Sequence, residues 1–147
     1  MKLFIASDHA GFELKNKVIA KYKDIIDLGP KEFIKEDDYP DYVYILIKNL
    51  YKNISENKGI LICHNGGGVC IAANKFKKIR AALTFSVEHA KSLISDDNIN
   101  VLCIPAEFIP KEEIMRIIAI FSETKFEPQE RHLRRIEKVS IIENSSV

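Results

Sequence analysis

A thiol and a glycine-rich turn lie side by side near the middle of the chain. An apolar run ends at Cys63, which is followed by His64, Asn65, Gly66, Gly67 and Gly68. A turn of this kind leaves backbone N–H groups uncovered at the start of a helix, where they can hold a phosphate or an enolate oxygen. The same position favours a thiolate at Cys63 that would serve as a general base. The alternatives are a tight turn without a ligand and a thiol buried in the core.

The turn and the cysteines do not match the common phosphate or metal motifs. The turn lacks the Lys-Ser/Thr pair of a Walker loop, and it does not follow the first strand as a dinucleotide fingerprint does. Cys63, Cys70 and Cys103 have no paired-ligand spacing, so we expect no structural zinc. Their odd number, without a disulfide framework, indicates reduced thiols in a cytoplasmic protein.

Two charged segments offer further binding groups. Asp8 and His9 follow the first apolar segment, where both side chains can point toward a ligand. The alternative is a helix-capping Asp beside a solvent-exposed His. Arg131 and Arg135 have i, i+4 spacing, so they share one helical face and can bind a phosphate together. The alternative is a solvated charged helix, in which nearby glutamates balance the arginines.

The composition fits one globular domain over residues 1–147. The chain has 22 basic and 21 acidic residues and a net charge of +1, so we expect neither a nucleic acid nor a membrane as partner. The apolar run at residues 1–6 is too short for a signal peptide, and no run approaches the length of a membrane span. Any anion site must therefore be local.

Strand and helix patterns alternate from end to end. Predicted strands cover about residues 2–6, 25–28, 59–63, 79–83 and 100–104. Predicted helices cover about residues 12–22, 38–50, 69–75, 87–94, 114–121 and 131–142, the last lying on the surface or against a partner subunit. The pattern predicts a three-layer α/β/α domain with a five-stranded, mainly parallel sheet of Rossmann-like or flavodoxin-like type. Ligands bind such sheets at the carboxyl ends of the strands.

Taken together, these segments resemble type B ribose-5-phosphate isomerases. The family also contains galactose-6-phosphate isomerase subunits and allose-phosphate isomerases. The resemblance is carried by residues 7–15, 38–42, 59–75, 79–83, 100–102 and 131–135, and it covers essentially the whole chain.

The resemblance implies an aldose–ketose isomerase of the pentose phosphate pathway that interconverts ribose 5-phosphate and ribulose 5-phosphate through an enediolate, without metal or cofactor. Cys63 matches the base that moves a proton between C1 and C2, and Asn65 stands where the family usually has Thr or Ser. The enediolate oxygen would be held by amides of the turn, which comprises His64, Gly66, Gly67 and Gly68. His9, Arg131 and Arg135 match phosphate-binding positions, whereas Asp8 and Tyr39 match sugar contacts. Members are homodimers or homotetramers with sites across a subunit interface.

The sequence departs from the family pattern at both ends of the substrate. Asp96 and Asp97 stand where the family commonly has His-Asn, whose His helps to open the sugar ring, so Asp96 is the candidate acid or base and Asp97 a candidate contact. Glu107 replaces a phosphate-binding Arg, and His64 replaces a turn Gly. The alternatives are therefore an isomerase of another phosphosugar, of allose- or galactose-6-phosphate type, a sugar-phosphate binding protein without catalysis, and a flavin-binding flavodoxin-like protein.

Overall fold

A five-stranded parallel sheet forms the middle layer of the computed structural model, which describes residues 1–145. The strands are β1 Leu3–Ser7, β2 Ile25–Asp27, β3 Lys58–Cys63, β4 Ala81–Leu83 and β5 Val101–Pro105. Their order is β2-β1-β3-β5-β4, and all four neighbouring pairs are parallel. The central strands β1, β3 and β5 are buried almost throughout, because helices cover both faces of the sheet.

Six helices enclose the sheet. They are α1 Phe12–Lys21, α2 Tyr39–Leu50, α3 Gly67–Ala73, α4 Val87–Asp97, α5 Lys111–Glu123 and α6 Glu130–Asn144. Short 3-10 turns cover His9–Gly11 and Tyr51–Asn53. Apolar side chains of α1, α4 and α5 form a core on one face of the sheet, and those of α2 and α3 form a second core on the other. The predicted three-layer fold is confirmed.

Alternation along the strands divides their side chains between the two cores. In β3, Ile60 and Ile62 join the core beneath α1, α4 and α5, whereas Leu61 and Cys63 join the core beneath α2 and α3. Cys63 therefore ends β3 on the same face as α3, the helix that follows the glycine turn. The strand order matches the flavodoxin order in its first three members and exchanges the last two.

The structure corrects two predicted boundaries. Helix α3 begins at Gly67, two residues earlier than predicted, so the glycines form its first turn. Helix α4 continues to Asp97 and ends at Asn98, which adopts the left-handed conformation with φ of 51°. Asp96 and Asp97 were predicted to follow this helix, but they form its last turn, because Asn tolerates the left-handed cap that ends a helix.

Helix α6 packs along the amino-terminal edge of the sheet. Its first turn lies near the end of α4, since the Glu127 N–H donates to the carbonyl oxygen of Ser95. Its last turn reaches the loop before β4, where the Lys78 N–H donates to a Glu143 carboxylate oxygen. Part of the predicted C-terminal tail, residues 146–147, lies outside the described residues. Within residues 1–145, no helix has both the length and the apolar composition to cross a bilayer.

Candidate active site

Cys63 lies at the carboxyl end of the central strand with its sulfur facing the glycine turn. The residue is 4 % exposed, and its Sγ accepts a hydrogen bond from the Gly66 N–H at 3.2 Å. An N–H donor aimed at sulfur stabilises negative charge there, which is what a thiolate base requires. The carbonyl oxygens of Cys63 and His64 accept hydrogen bonds from the N–H groups of Ala106 and Glu107. The loop after β5 therefore fixes the start of the turn.

The glycine turn offers fewer free amides than the sequence suggested. The Gly66 N–H is directed at the Cys63 sulfur, and the Gly67 N–H donates to the Asn65 side-chain oxygen at 3.0 Å. The first-turn amides of a helix have no partner within that helix, so the Gly68 N–H stays available as a donor in this turn. A Cβ on Gly68 would lie 2.7 Å from the Tyr39 ring, so Tyr39 packs directly over this first turn.

Gly66 is the glycine of the turn at which a left-handed backbone and close packing coincide. Its φ is +71°, and an added Cβ would lie 2.3 Å from Leu83 Cδ1 and 3.0 Å from the backbone nitrogen of Pro105. Leu83 and Pro105 belong to the neighbouring strands β4 and β5. The turn is thus packed against the sheet, and its backbone has no room to adjust.

We predict that Gly66→Ala lowers the free energy of unfolding by about 2–4 kcal/mol, because left-handed strain and overpacking act together. Gly67→Ala is the matched control. Its Cβ would meet only the Asn65 side chain, at 3.3 Å, so we expect a change within about 0.5 kcal/mol. Urea unfolding followed by circular dichroism measures both values. Equal losses in the two variants would contradict the packing seen at Gly66.

Asp8 and His9 lie beside Cys63 at the same edge of the sheet. The Asp8 N–H donates to the carbonyl oxygen of Ile62, the residue before Cys63, and the Asp8 carboxylate accepts from the Gly11 N–H at 3.2 Å. Burial raises the pKa of the Asp8 carboxyl. His9 begins the short 3-10 turn, and its ring is 41 % exposed. The geometry matches the alternative of a capping Asp beside an exposed His, and binding of a ligand by Asp8 and His9 stays a prediction.

Asp37, which the sequence analysis did not single out, holds the His9 ring. Its Oδ1 accepts the His9 backbone N–H at 2.8 Å and lies 2.7 Å from His9 Nδ1. The hydrogen bond to Asp37 raises the pKa of His9 above its ordinary value. Burial alone would raise the pKa of Asp37, but the hydrogen bonds from His9, together with one from Tyr42, outweigh it and leave the pKa lowered. A hydrogen-bonded imidazole–carboxylate pair therefore stands at the rim of the site.

The other two thiols lie in the core beneath α2 and α3. A hydrogen bond from Cys103 lowers the pKa of Cys70 to about 7, and the same bond raises the pKa of the buried Cys103. The Cys70 sulfur also lies 3.5 Å from the carbonyl oxygen of Ala81. A carbonyl oxygen accepts from a thiol and repels a thiolate, so this contact favours the protonated form of Cys70.

A second group of predicted residues lies at the opposite edge of the sheet. Asp96 and Asp97 end α4 just before β5 begins, and Arg131 and Arg135 occupy the first half of α6. Cys63 pairs with Pro105, the last residue of β5, whereas Asp97 lies just before Val101, the first residue of that five-residue strand. The two edges are about 16 Å apart at the usual rise of a strand. Within one chain, the structure does not bring these four residues to Cys63.

His132 connects two members of this second group. Its ring is buried, with Nδ1 donating to the carbonyl oxygen of Glu127 at 3.0 Å and Nε2 accepting from Arg131 Nε at 3.0 Å. Asp96 Oδ1 lies 3.8 Å from the same Nε2. Asp97 and Arg135 line a cavity of about 290 Å³ between β4, α4 and α6. Sequence reasoning missed His132 as a buried residue, because it lies within a charged run.

A comparison with known families decides the kind of protein. The family model described as Ribose/Galactose Isomerase matches residues 3–139. The chain belongs to this isomerase family. A probable ribose-5-phosphate isomerase B from Mycoplasma genitalium is 42 % identical over 142 residues, which cover 93 % of this chain and 92 % of that protein. Ribose-5-phosphate isomerase B from Mycolicibacterium paratuberculosis is 33 % identical over 93 % of this chain and 88 % of that protein.

Solved structures of the isomerase family have the same fold. The crystal structure of ribose-5-phosphate isomerase B from Mycoplasma genitalium with bound ribulose-5-phosphate matches with a TM-score of 0.93 and 40 % identity, over 99 % of this chain and 97 % of that one. The enzyme from Thermotoga maritima matches with a TM-score of 0.87 and 38 % identity, over 95 % and 97 %. The predicted resemblance to type B ribose-5-phosphate isomerases is confirmed.

Proposed function

We propose that this chain is an aldose–ketose isomerase that interconverts ribose 5-phosphate and ribulose 5-phosphate. The observation that carries the proposal is the Cys63 sulfur at the carboxyl end of β3, with the Gly66 N–H 3.2 Å away and Asp8, His9 and Tyr39 gathered around the same edge. Support comes from the relatives named as ribose-5-phosphate isomerase B, one of which was crystallised with ribulose-5-phosphate.

In the proposed reaction, a Cys63 thiolate removes the C2 proton of the open-chain aldose. The electron pair of the C2–H bond forms a C1–C2 double bond, and the carbonyl electrons move to O1. A proton passes from O2 to O1, and the Cys63 thiol then returns its proton to C1, which leaves a C2 carbonyl. Stabilisation of the oxygen anion makes the C2 proton acidic enough to remove. The Gly68 amide is suited to this role because the turn does not use it.

Asn65 supports this reaction differently from the hydroxyl residue usual in the family. Its side-chain oxygen accepts the Gly67 N–H, so its NH₂ group remains as a donor toward the substrate. A carboxamide is neither a useful acid nor a useful base near neutral pH, so Asn65 stabilises a sugar oxygen and does not relay protons. Burial raises the pKa of Asp8. This makes its carboxyl better suited to exchange a proton with a sugar hydroxyl.

We propose that two copies of the chain complete each site. Cys63 and its neighbours lie at one edge of the sheet, and Asp96, Asp97, Arg131 and Arg135 lie at the other, so a second copy is needed to bring the arginines to the phosphate. Exposed apolar side chains occur near both groups, which suits an interface between copies. They are Phe85 and Phe108 after β4 and β5, and Leu133 and Val139 on α6.

We propose that Asp96 acts in opening the sugar ring. This role requires that its carboxylate reach the sugar across the interface between the two copies. Its carboxylate accepts from the Ser95 hydroxyl at 3.0 Å and lies near His132. The side chain of Glu107 is exposed, and its N–H donates to the carbonyl oxygen of His64. We propose that Glu107 helps to hold the turn through this backbone contact. A cytoplasmic location, a single domain over residues 1–147 and a reaction without cofactor stay predictions.

A panel of aldose phosphates tests the proposed function. We expect ribulose 5-phosphate to form from ribose 5-phosphate with a kcat/KM at least about tenfold higher than for allose 6-phosphate or galactose 6-phosphate. Each substrate is also incubated in heavy water, where proton removal exchanges the C2 hydrogen. Faster turnover of a six-carbon substrate would assign a different phosphosugar. Binding of ribose 5-phosphate without C2 exchange would identify a binding protein.

A further inference from the structure

Asp37 is a nearly buried carboxylate that the proposed reaction does not use. It belongs to the loop between β2 and α2, and its side chain is 6 % exposed, whereas the His9 ring that it contacts is 41 % exposed. One oxygen, Oδ1, meets both the backbone N–H and Nδ1 of His9. Among the described residues, the other oxygen, Oδ2, is buried and makes no hydrogen bond of regular geometry, although the Tyr42 hydroxyl is close enough to lower the pKa of this carboxyl. The well-formed contacts of Asp37 are therefore the two that it makes with His9.

The contacts fix both the orientation and the charge of the imidazole. A carboxylate beside Nδ1 requires a proton on that nitrogen, so the ring is held with Nε2 pointing away from Asp37. A neutral ring would then present an Nε2 lone pair, which repels a phosphate oxygen. A protonated ring presents an Nε2–H, which donates to it. The usefulness of His9 toward a phosphate therefore depends on the group that keeps it protonated.

We propose that Asp37 is a positioning residue that holds His9 as an imidazolium with its Nε2–H directed at the substrate phosphate. This inference rests on the proposed function, since it takes a sugar phosphate as the ligand. Asp37 acts through His9 and does not itself touch the substrate.

The charged and titratable groups around His9 support this role. Asp37 and Asp8 both raise the pKa of His9, and Asp37 has the larger effect. Burial and then Asp37 raise the pKa of Tyr42 to about 12, so this phenol stays neutral at physiological pH. Because the pKa of His9 is raised, more of the imidazolium persists above its ordinary titration range, and it is lost as the pH rises through the higher folded-state value.

Asp37→Asn tests the proposal, since Asn keeps an acceptor oxygen and removes the charge. We expect KM for ribose 5-phosphate to rise about tenfold with kcat within about twofold, because a phosphate contact contributes equally to ground-state and transition-state binding. Glu36→Gln is the matched control. It removes the same charge from an exposed neighbouring side chain, and we expect both constants to stay within about twofold.

An NMR titration of the His9 ring nitrogens gives a readout that does not depend on turnover. In Asp37→Asn, we expect the pKa of His9 to fall and the proton to be shared between the two nitrogens, with thermal unfolding close to that of the unmodified protein. An unchanged His9 titration would overturn the proposal. Adding Asp37→Asn to His9→Gln should raise KM no further, and an additive increase would also overturn it. If the unmodified protein does not isomerise ribose 5-phosphate, the proposed function fails, and the titration alone still decides whether Asp37 controls His9.

Discussion

Cys63→Ser is expected to lower kcat/KM for ribose 5-phosphate by about 10²–10⁴-fold, the usual contribution of a general base. A serine hydroxyl fits the space of the thiol and can accept the same Gly66 N–H, so the fold and the substrate contacts are retained. The substitution removes the proposed base, because a hydroxyl ionises far less readily than a thiol. A coupled assay of ribulose 5-phosphate measures the change, with C2 exchange in heavy water as a second readout.

Cys70→Ala is the control that separates the two thiols at this face of the sheet. The pKa of Cys70 is lowered to about 7 by Cys103, so acidity alone would favour Cys70 as the base. Its sulfur instead contacts the Ala81 carbonyl oxygen at the border of the second core, whereas the Cys63 sulfur accepts the Gly66 N–H of the glycine turn. We expect Cys70→Ala to keep activity within about threefold. Retained activity in Cys63→Ser, with activity lost in Cys70→Ala, would reassign the base.

Two inactive variants are expected to restore activity when they are combined. Cys63→Ala disables one half of the proposed site, and Arg131→Ala disables the other. In a mixed dimer of these chains, one site joins an intact Cys63 to an intact Arg131, and the other site lacks both. After co-refolding, about a quarter of all sites should be active, since half of the dimers are mixed and each contains one intact site.

The complementation experiment needs controls which show that the recovered activity comes from mixed dimers and depends on the particular side chains that were removed. Native mass spectrometry verifies the mixed dimers, and a mixture of Cys63→Ala with Cys63→Ser should stay inactive. Arg134→Ala serves as the arginine control, because Arg134 is exposed and lies 3.8 Å from Glu130 on its own helix. This variant alone should remain active. No recovery in verified mixed dimers would show that Cys63 and Arg131 act from the same chain, whereas activity of Arg131→Ala alone would show that Arg131 has no part in the site.

The position of Cys63 could be predicted because local pattern and topology agree. An apolar run, typical of a strand that helices cover on both faces of the sheet, ends at this residue. Parallel strands present their carboxyl ends at one edge of the sheet. The same reasoning correctly grouped Asp8 with the glycine turn. It failed at Asp96, where Ser-Asp-Asp-Asn has the composition of a turn although the helix continues through both aspartates. The stop signal is the left-handed Asn98, and helix ends are weakly encoded.

The contacts of Asp37 and His132 could not be predicted from the pattern. Asp37 meets His9 across 28 residues of sequence, and it stands in a charged loop without periodicity. Its role depends on how the loop folds back over the first strand. His132 is buried although arginines and glutamates surround it in the sequence, since its burial results from packing of α6 near Glu127 and Phe126. Both are tertiary contacts that local composition does not report.

The length of a strand separates Cys63 and its neighbours from the arginines of α6. This separation affects how the protein would behave on dilution. Each chain has its own two cores, so its folding does not require the residues that face another molecule. In the proposed two-copy site, turnover does require the residues that the second chain supplies. Dilution below the dissociation constant of the assembly would therefore abolish activity while each subunit stays folded. The rate per molecule would rise with concentration until association is complete.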